Sequence, residues 1–96
     1  MSDQPAWSVI IAERGWVYVG RTHRDGDQLV ITDAQNVRRW GTTGGLGQLA
    51  LKGPTNETQL DYYGTVRIHV LAVCGTVDCD DAIWNAWHQK QAKAKR

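Results

Sequence analysis

Two arginines, a tryptophan, two threonines and several glycines lie close together in the segment from Asn36 to Pro54, NVRRWGTTGGLGQLALKGP. Guanidinium groups bind phosphate oxygens through paired hydrogen bonds, and an indole ring stacks on planar groups such as nucleobases. Glycine allows positive φ angles, so that successive backbone amides can converge on an anion. These residue types together favour a site for a nucleotide or another small phosphorylated molecule.

We therefore predict a ligand-binding loop with three kinds of contact. Arg38 and Arg39 neutralise an anionic group, backbone amides hydrogen-bond it, and Trp40 stacks on an attached ring. The predicted site residues are Arg38, Arg39, Trp40, Thr42, Thr43, Gly44 and Gly45. The segment matches neither G-x-x-x-x-G-K-[ST] nor G-x-G-x-x-G, so the alternative of a glycine-rich surface loop without a ligand stays open.

Metal binding and catalysis have less support in the sequence. The possible metal ligands are His23, His69, His88, Cys74 and Cys79, and they lack the spacing of zinc sites. Asp33 near Arg38, or Cys74 near His69, would give a pair of reactive groups, but nothing in the sequence brings either pair into one cleft. We predict a protein that is not an enzyme and holds no metal or cofactor, with both cysteines reduced.

Composition limits the class of partner. The chain has 96 residues, 42% of them apolar and 22% charged, which is typical of one soluble domain covering residues 1–96. A net charge of +1 argues against strong binding to nucleic acids or anionic membranes, although a local basic patch is compatible with it. Residues 1–5 do not start a signal peptide and no run of about 20 apolar residues occurs, so we expect a cytoplasmic protein.

Alternation of apolar and polar residues predicts a small antiparallel sheet. The predicted strands are Trp7 to Ala12, Trp16 to Arg24, Asp27 to Thr32, Thr58 to Tyr62 and Gly64 to Gly75, the last of them central. Asp25-Gly26 and Tyr63-Gly64 are predicted turns, and Gly53 closes a short helix from Leu46 to Lys52. A further helix begins near Asp80, and its last residues are expected to fray. The predicted fold is mainly β (α+β), an SH3-like barrel or a strongly bent sheet of about five strands with one C-terminal helix.

Three stretches carry a family resemblance: RGWVYVGR from Arg14, LVITDAQNVRRWGTTGGLGQLALKGP from Leu29, and GTVRI from Gly64. Together they resemble a group of small uncharacterised proteins of bacteriophages and prophages. That group has no assigned activity, so the resemblance implies no catalytic residue. It implies a phage accessory protein in a bacterial host cell, of the kind that binds host components, including antiviral effectors and the nucleotide signals that activate them.

The aromatic residues favour recognition over a sealed core. The chain has five tryptophans, three tyrosines and no phenylalanine, and Trp and Tyr suit half-buried positions and interfaces. We therefore expect a homo-oligomer. Two other functions stay open: a protein interaction module that inhibits a host factor through a tryptophan-rich surface, and an architectural phage protein.

Overall fold

The computed structural model describes residues 6–94, with side chains described as far as residue 91. The elements in chain order are β1 (Ala6–Ala12), β2 (Val17–Asp25), β3 (Gln28–Arg39), α1 (Gly45–Lys52), β4 (Gln59–His69), β5 (Val73–Asp78) and α2 (Asp81–Ala94). The strands form one open antiparallel sheet in the order β4-β3-β2-β1-β5. The predicted fold class, mainly β with five strands and a C-terminal helix, is confirmed. The predictions for residues 1–5 and for fraying at residues 95–96 lie outside the described residues.

The sheet is strongly bent because its two edge strands are consecutive in the chain. Only a 3-10 turn, Val70–Ala72, connects β4 to β5, although the two strands lie at opposite ends of the strand order. The sheet must therefore curl until these ends approach each other. Apolar side chains of both edge strands, among them Val66 and Val73, accordingly pack on one buried cluster.

Buried side chains lie on both faces of the sheet, as alternation along a strand requires. The face covered by the helices buries Trp7, Val9, Val17, Val19, Val37, Leu49, Ala50 and Trp84. The other face, here called the inner face, buries Ile10, Tyr18, Ile31 and Ala34 inside the curl. A rigid two-sided core thus supports the loops at the ends of the strands.

The third strand is longer than predicted, so the loop begins later. β3 continues to Arg39, whereas the sequence suggested an irregular segment from Asn36 onward. Gln35 and Asn36 are buried although polar, and the Asn36 side-chain amide donates a 3.2 Å hydrogen bond to the carbonyl of Val17. Because this hydrogen bond gives the buried side-chain amide a partner, a polar residue is tolerated at position 36 inside the strand.

The predicted turn at Tyr63-Gly64 is wrong, and so is the central strand from Gly64 to Gly75. Gly64 has a φ angle of 79° but lies inside β4, where the pairing shifts between Ala34 and Gln35 of the neighbouring strand. A glycine with positive φ has therefore produced a bulge rather than a turn. The Gly64 to Gly75 run is divided by the 3-10 turn into two edge strands, while β2 is central.

The first helix begins and ends close to its predicted bounds, and the second begins within one residue of the predicted start at Asp80. At the start of α2, the Asp80 carboxylate accepts hydrogen bonds from the amides of Ala82 and Ile83, at 3.1 and 3.3 Å. This capping supplies partners for amides that the helix itself leaves unpaired. Gly53 ends α1 with a φ angle of 83°, as predicted. In residues 6–94, neither helix is long and apolar enough to cross a membrane.

Candidate functional site

The Trp40 loop, residues 40–44, connects the end of β3 to the start of α1, and a neighbouring turn holds it in place. The hydroxyl of Thr58 donates to the carbonyl of Trp40, and the hydroxyl of Thr55 donates to the carbonyl of Gly41, both at 2.6 Å. Gly41 has a φ angle of 67°, and a Cβ there would collide with the backbone of Glu57 and Thr58. The loop is therefore anchored to the turn of residues 55–58 through its backbone carbonyls.

Arg38 and Arg39 lie at a bulge that ends the pairing of β3 with β4. Their side chains are 64% and 62% exposed. Arg38 Nε lies 3.3 Å from Asp61 Oδ2, and Arg39 Nη2 lies 3.9 Å from Glu57 Oε2. Such exposed ion pairs contribute at most about 1 kcal/mol, so a ligand with higher charge density can compete with these carboxylates.

The remaining predicted residues divide between exposed and internally bonded groups. Trp40, which follows Arg39 in the chain, is 45% exposed. The Thr42 hydroxyl donates to the carbonyl of Gly45 at 2.6 Å, while the Gly44 amide donates to Gln48 Oε1, also at 2.6 Å. The Thr43 hydroxyl lies 3.3 Å from the same oxygen. The arginines and the tryptophan are thus consecutive, exposed residues, whereas the threonines and Gly44 bond within the loop.

A polar cluster between the sheet and α2 is a feature that the sequence analysis missed. Asp33 lies 3.6 Å from Arg21 and 3.7 Å from His88, instead of near Arg38 as the sequence allowed. Asn85 Oδ1 accepts hydrogen bonds from Trp7 Nε1 at 2.7 Å and from Arg21 at 3.3 Å. These groups satisfy one another and join α2 to the sheet. Asp33 has a φ angle of 51°, which Asp tolerates better than most residues, but no local pattern in the sequence indicates its partners Arg21 and His88.

Three aromatic rings form a continuous strip on the inner face. Trp16 stacks on Tyr18 with ring centroids 6.3 Å apart, and Tyr18 contacts Tyr63 at 5.9 Å. Trp16 and Tyr63 are about half exposed, while Tyr18 is buried. Burial, followed by the proximity of Tyr63, raises the pKa of Tyr18. The aromatic strip therefore presents two half-exposed rings, Trp16 and Tyr63, on either side of the buried Tyr18.

The two cysteines differ in their surroundings. Within residues 6–94, no three His, Cys, Asp or Glu side chains are grouped so as to hold a metal ion. Both cysteines are free, and Cys74 is exposed whereas Cys79 is partly buried. Burial raises the pKa of the Cys79 thiol to about 12, and the carboxylates of Asp81 and Asp78 add to the effect.

We expect iodoacetamide to alkylate Cys74 much faster than Cys79 in the folded protein at about pH 8, because the thiolate is the reacting species. The raised pKa keeps Cys79 protonated well above that pH. Mass spectrometry of quenched time points measures both rates. Unfolding in denaturant is the control, and it should make the two rates similar; equal rates in the folded protein would contradict the prediction.

The bent sheet and its two helices define a small α+β domain, in which the exposed Arg38, Arg39 and Trp40 side chains follow one another at the end of β3. Residues 8–87 match the family model of a domain of unknown function, DUF6948, and the chain belongs to this family. No curated protein matches the chain. The family description names neither a ligand nor a phage origin, so both stay predictions.

Proposed function

We propose that this protein is a non-enzymatic binding protein for a small phosphorylated ligand, held by Arg38, Arg39 and Trp40. The observation that carries the proposal is the placing of three consecutive exposed side chains, two cationic and one aromatic, beside a loop with an anchored backbone. Binding to a loop whose backbone is already fixed costs less conformational entropy, because the loop does not have to be ordered by the ligand.

Binding would replace weak internal contacts with stronger ones. A phosphate group would take the places of the Asp61 and Glu57 carboxylates, since charge-assisted bidentate bonds from arginine to phosphate are stronger than exposed ion pairs. A purine or other ring attached to the phosphate would stack on Trp40. Loop amides would contribute only after the side chain of Gln48 left the Gly44 amide. The arginines and the indole are therefore the main contacts in this proposal.

In biological terms, we propose a phage accessory protein in the bacterial cytoplasm, forming a homo-oligomer. It would sequester a nucleotide signal of host defence and so keep the signal from its effector. A stoichiometric binder needs no catalytic group for this role.

Thermal unfolding with a panel of nucleoside monophosphates, nucleoside triphosphates and cyclic dinucleotides tests the proposal. A ligand at 100 times its Kd should stabilise the protein by about 2.7 kcal/mol, because it binds the folded state alone. The double variant R38A/R39A should lose this stabilisation by ligand. Without ligand, its Tm should be close to that of the wild type, since both replaced side chains are exposed.

The matched control is R24A/R67A. It also removes two exposed arginines, one of them, Arg67, in a surface ion pair at 3.5 Å with Asp25. Ligand-induced stabilisation should persist in this control. Stabilisation that persists equally in R38A/R39A would contradict the proposed site, and a wild-type protein that no phosphorylated compound stabilises would contradict the proposed ligand class.

A protein interaction module is the second candidate, and the aromatic strip favours it. Exposed Trp and Tyr are the residues most enriched at the energetic centres of protein interfaces. Such a module would ignore nucleotides, and W16A/Y63A would lose a host partner that R38A/R39A retains. An architectural protein would instead assemble with itself and bind no small ligand.

A further inference from the structure

Two adjoining depressions lie where the end of α1 meets α2. Each has a volume of about 400 Å³, and they share Pro54, Trp87 and Lys90. The lysine groove is our name for this surface, which is lined chiefly by Lys52, Gly53, Pro54, Ile83, Trp87 and Lys90. Its volume lies within the range of small-molecule sites, although it is open to solvent along its length.

The charge of the groove is uncompensated. No Asp or Glu is among its lining residues, and neither Lys52 nor Lys90 forms an ion pair with a carboxylate of the described residues. By contrast, Arg21, Arg38 and Arg39 each lie within 4.0 Å of a carboxylate. Two ammonium groups around one concave surface attract an anion, since low-dielectric walls focus the field in a cleft.

A favourable interaction with the helix dipole explains the position of only one of these two lysines. Lys52 lies in the last turn of α1, where a cation interacts favourably with the helix dipole. Lys90 lies further from the end of α2, because that helix continues to Ala94. The dipole effect falls off within the last turn, so it gives no reason for a second cation beside the same groove.

The apolar wall of the groove includes the indole ring of Trp87. Trp87 is half buried, and the ring of Trp84 supports it edge-on at 5.4 Å between centroids. A Cβ on Gly53 would lie 2.9 Å from Ile83 Cγ2, so the glycine allows the two helices to approach closely beside the indole. A planar ring can stack on such a surface with little rearrangement.

We propose that the lysine groove binds a small anion that carries an aromatic ring, with the ring on Trp87 and a carboxylate or phosphate near Lys52 and Lys90. This site goes beyond the function proposed above and does not depend on it. Thr58 lines the groove and also donates to the carbonyl of Trp40, so the groove and the Trp40 loop lie on either side of the same turn.

Titrations followed in ¹H–¹⁵N NMR spectra test this proposal with phenyl phosphate, benzoate, inorganic phosphate and benzyl alcohol as probes. We expect shifts of the Gly53 and Lys90 amides and of the Trp87 indole N–H. A ring-bearing anion should bind at least tenfold more tightly than inorganic phosphate or benzyl alcohol, because each of those lacks one of the two contacts.

The variant K52Q/K90Q should weaken binding at least tenfold and leave the Tm near that of the wild type, whereas R24Q/R67Q should bind normally. Unchanged binding by K52Q/K90Q, or equal binding of benzyl alcohol, would overturn the proposal. The double variant R38A/R39A separates the two sites. If R38A/R39A loses phenyl phosphate binding and K52Q/K90Q keeps it, the groove proposal is overturned and the Trp40 loop is supported. If K52Q/K90Q loses binding and R38A/R39A keeps it, the groove is supported.

Discussion

Replacement of Trp84 by alanine should lower the free energy of unfolding by about 3–5 kcal/mol, the range for large aromatic residues in a core. Trp84 is fully buried, and its ring stacks on Trp7 with centroids 5.8 Å apart. Its indole N–H donates to the carbonyl of Ala50 at 3.0 Å. One side chain thus joins α2 to both the sheet and α1. Urea titration monitored by far-UV circular dichroism measures the loss.

A milder variant keeps this prediction testable if W84A does not fold. In W84F a smaller aromatic ring replaces the indole, and the carbonyl of Ala50 still accepts a bond from the Asp80 amide at 3.0 Å. The expected loss is therefore nearer about 1–2 kcal/mol. W16A is the control, because Trp16 is half exposed and should cost no more than about 1 kcal/mol. Equal losses in W84A and W16A would contradict the structure.

Replacement of Gly41 by alanine should cost about 2–4 kcal/mol, from the positive φ together with the steric conflict. A methyl group would collide with the backbone at Glu57 and Thr58 and push the Trp40 carbonyl away from its threonine. We therefore expect G41A to lower the midpoint of urea unfolding and, if the proposed ligand binds at the Trp40 loop, to weaken that binding as well.

Gly47 provides the matched control for this substitution. It lies inside α1, and a Cβ there would meet nothing within 4 Å. G47A should therefore raise stability by about 0.5–1 kcal/mol, since alanine is the better helix former. A G41A variant as stable as the wild type would show that the loop does not approach the Glu57–Thr58 backbone as closely as described.

Features determined by neighbouring residues were predictable from the sequence. The hairpin after Asp25 forms because Gly26 takes a φ angle of 61°, and α1 ends because Gly53 can adopt positive φ. Both are consequences of local backbone preference, which a sequence displays directly. The mainly β fold followed from alternation, which likewise depends on residues two positions apart.

Features determined by distant residues were not predictable. The extension of β3 through Asn36 depends on the carbonyl of Val17 in another strand. The sequence marked Arg38 and Arg39 as cations, but their carboxylate partners lie in and just before β4. Lys52 and Lys90 belong to different helices, and close packing of Gly53 on Ile83 brings them to one groove. Such long-range contacts have no local pattern by which a single sequence could reveal them.

The pairing of β1 determines when this domain can fold during synthesis. β1 lies between β2 and β5, Ser8 is paired with Asp78, and the Trp7 amide donates to the Asp81 carboxylate at 2.8 Å. A ribosome-bound chain can form the β2–β3 hairpin early, but its first strand keeps one edge unpaired until β5 emerges. Completion of the sheet must therefore wait until β5 has left the exit tunnel, and a chain interrupted before β5 would expose a strand edge prone to aggregation.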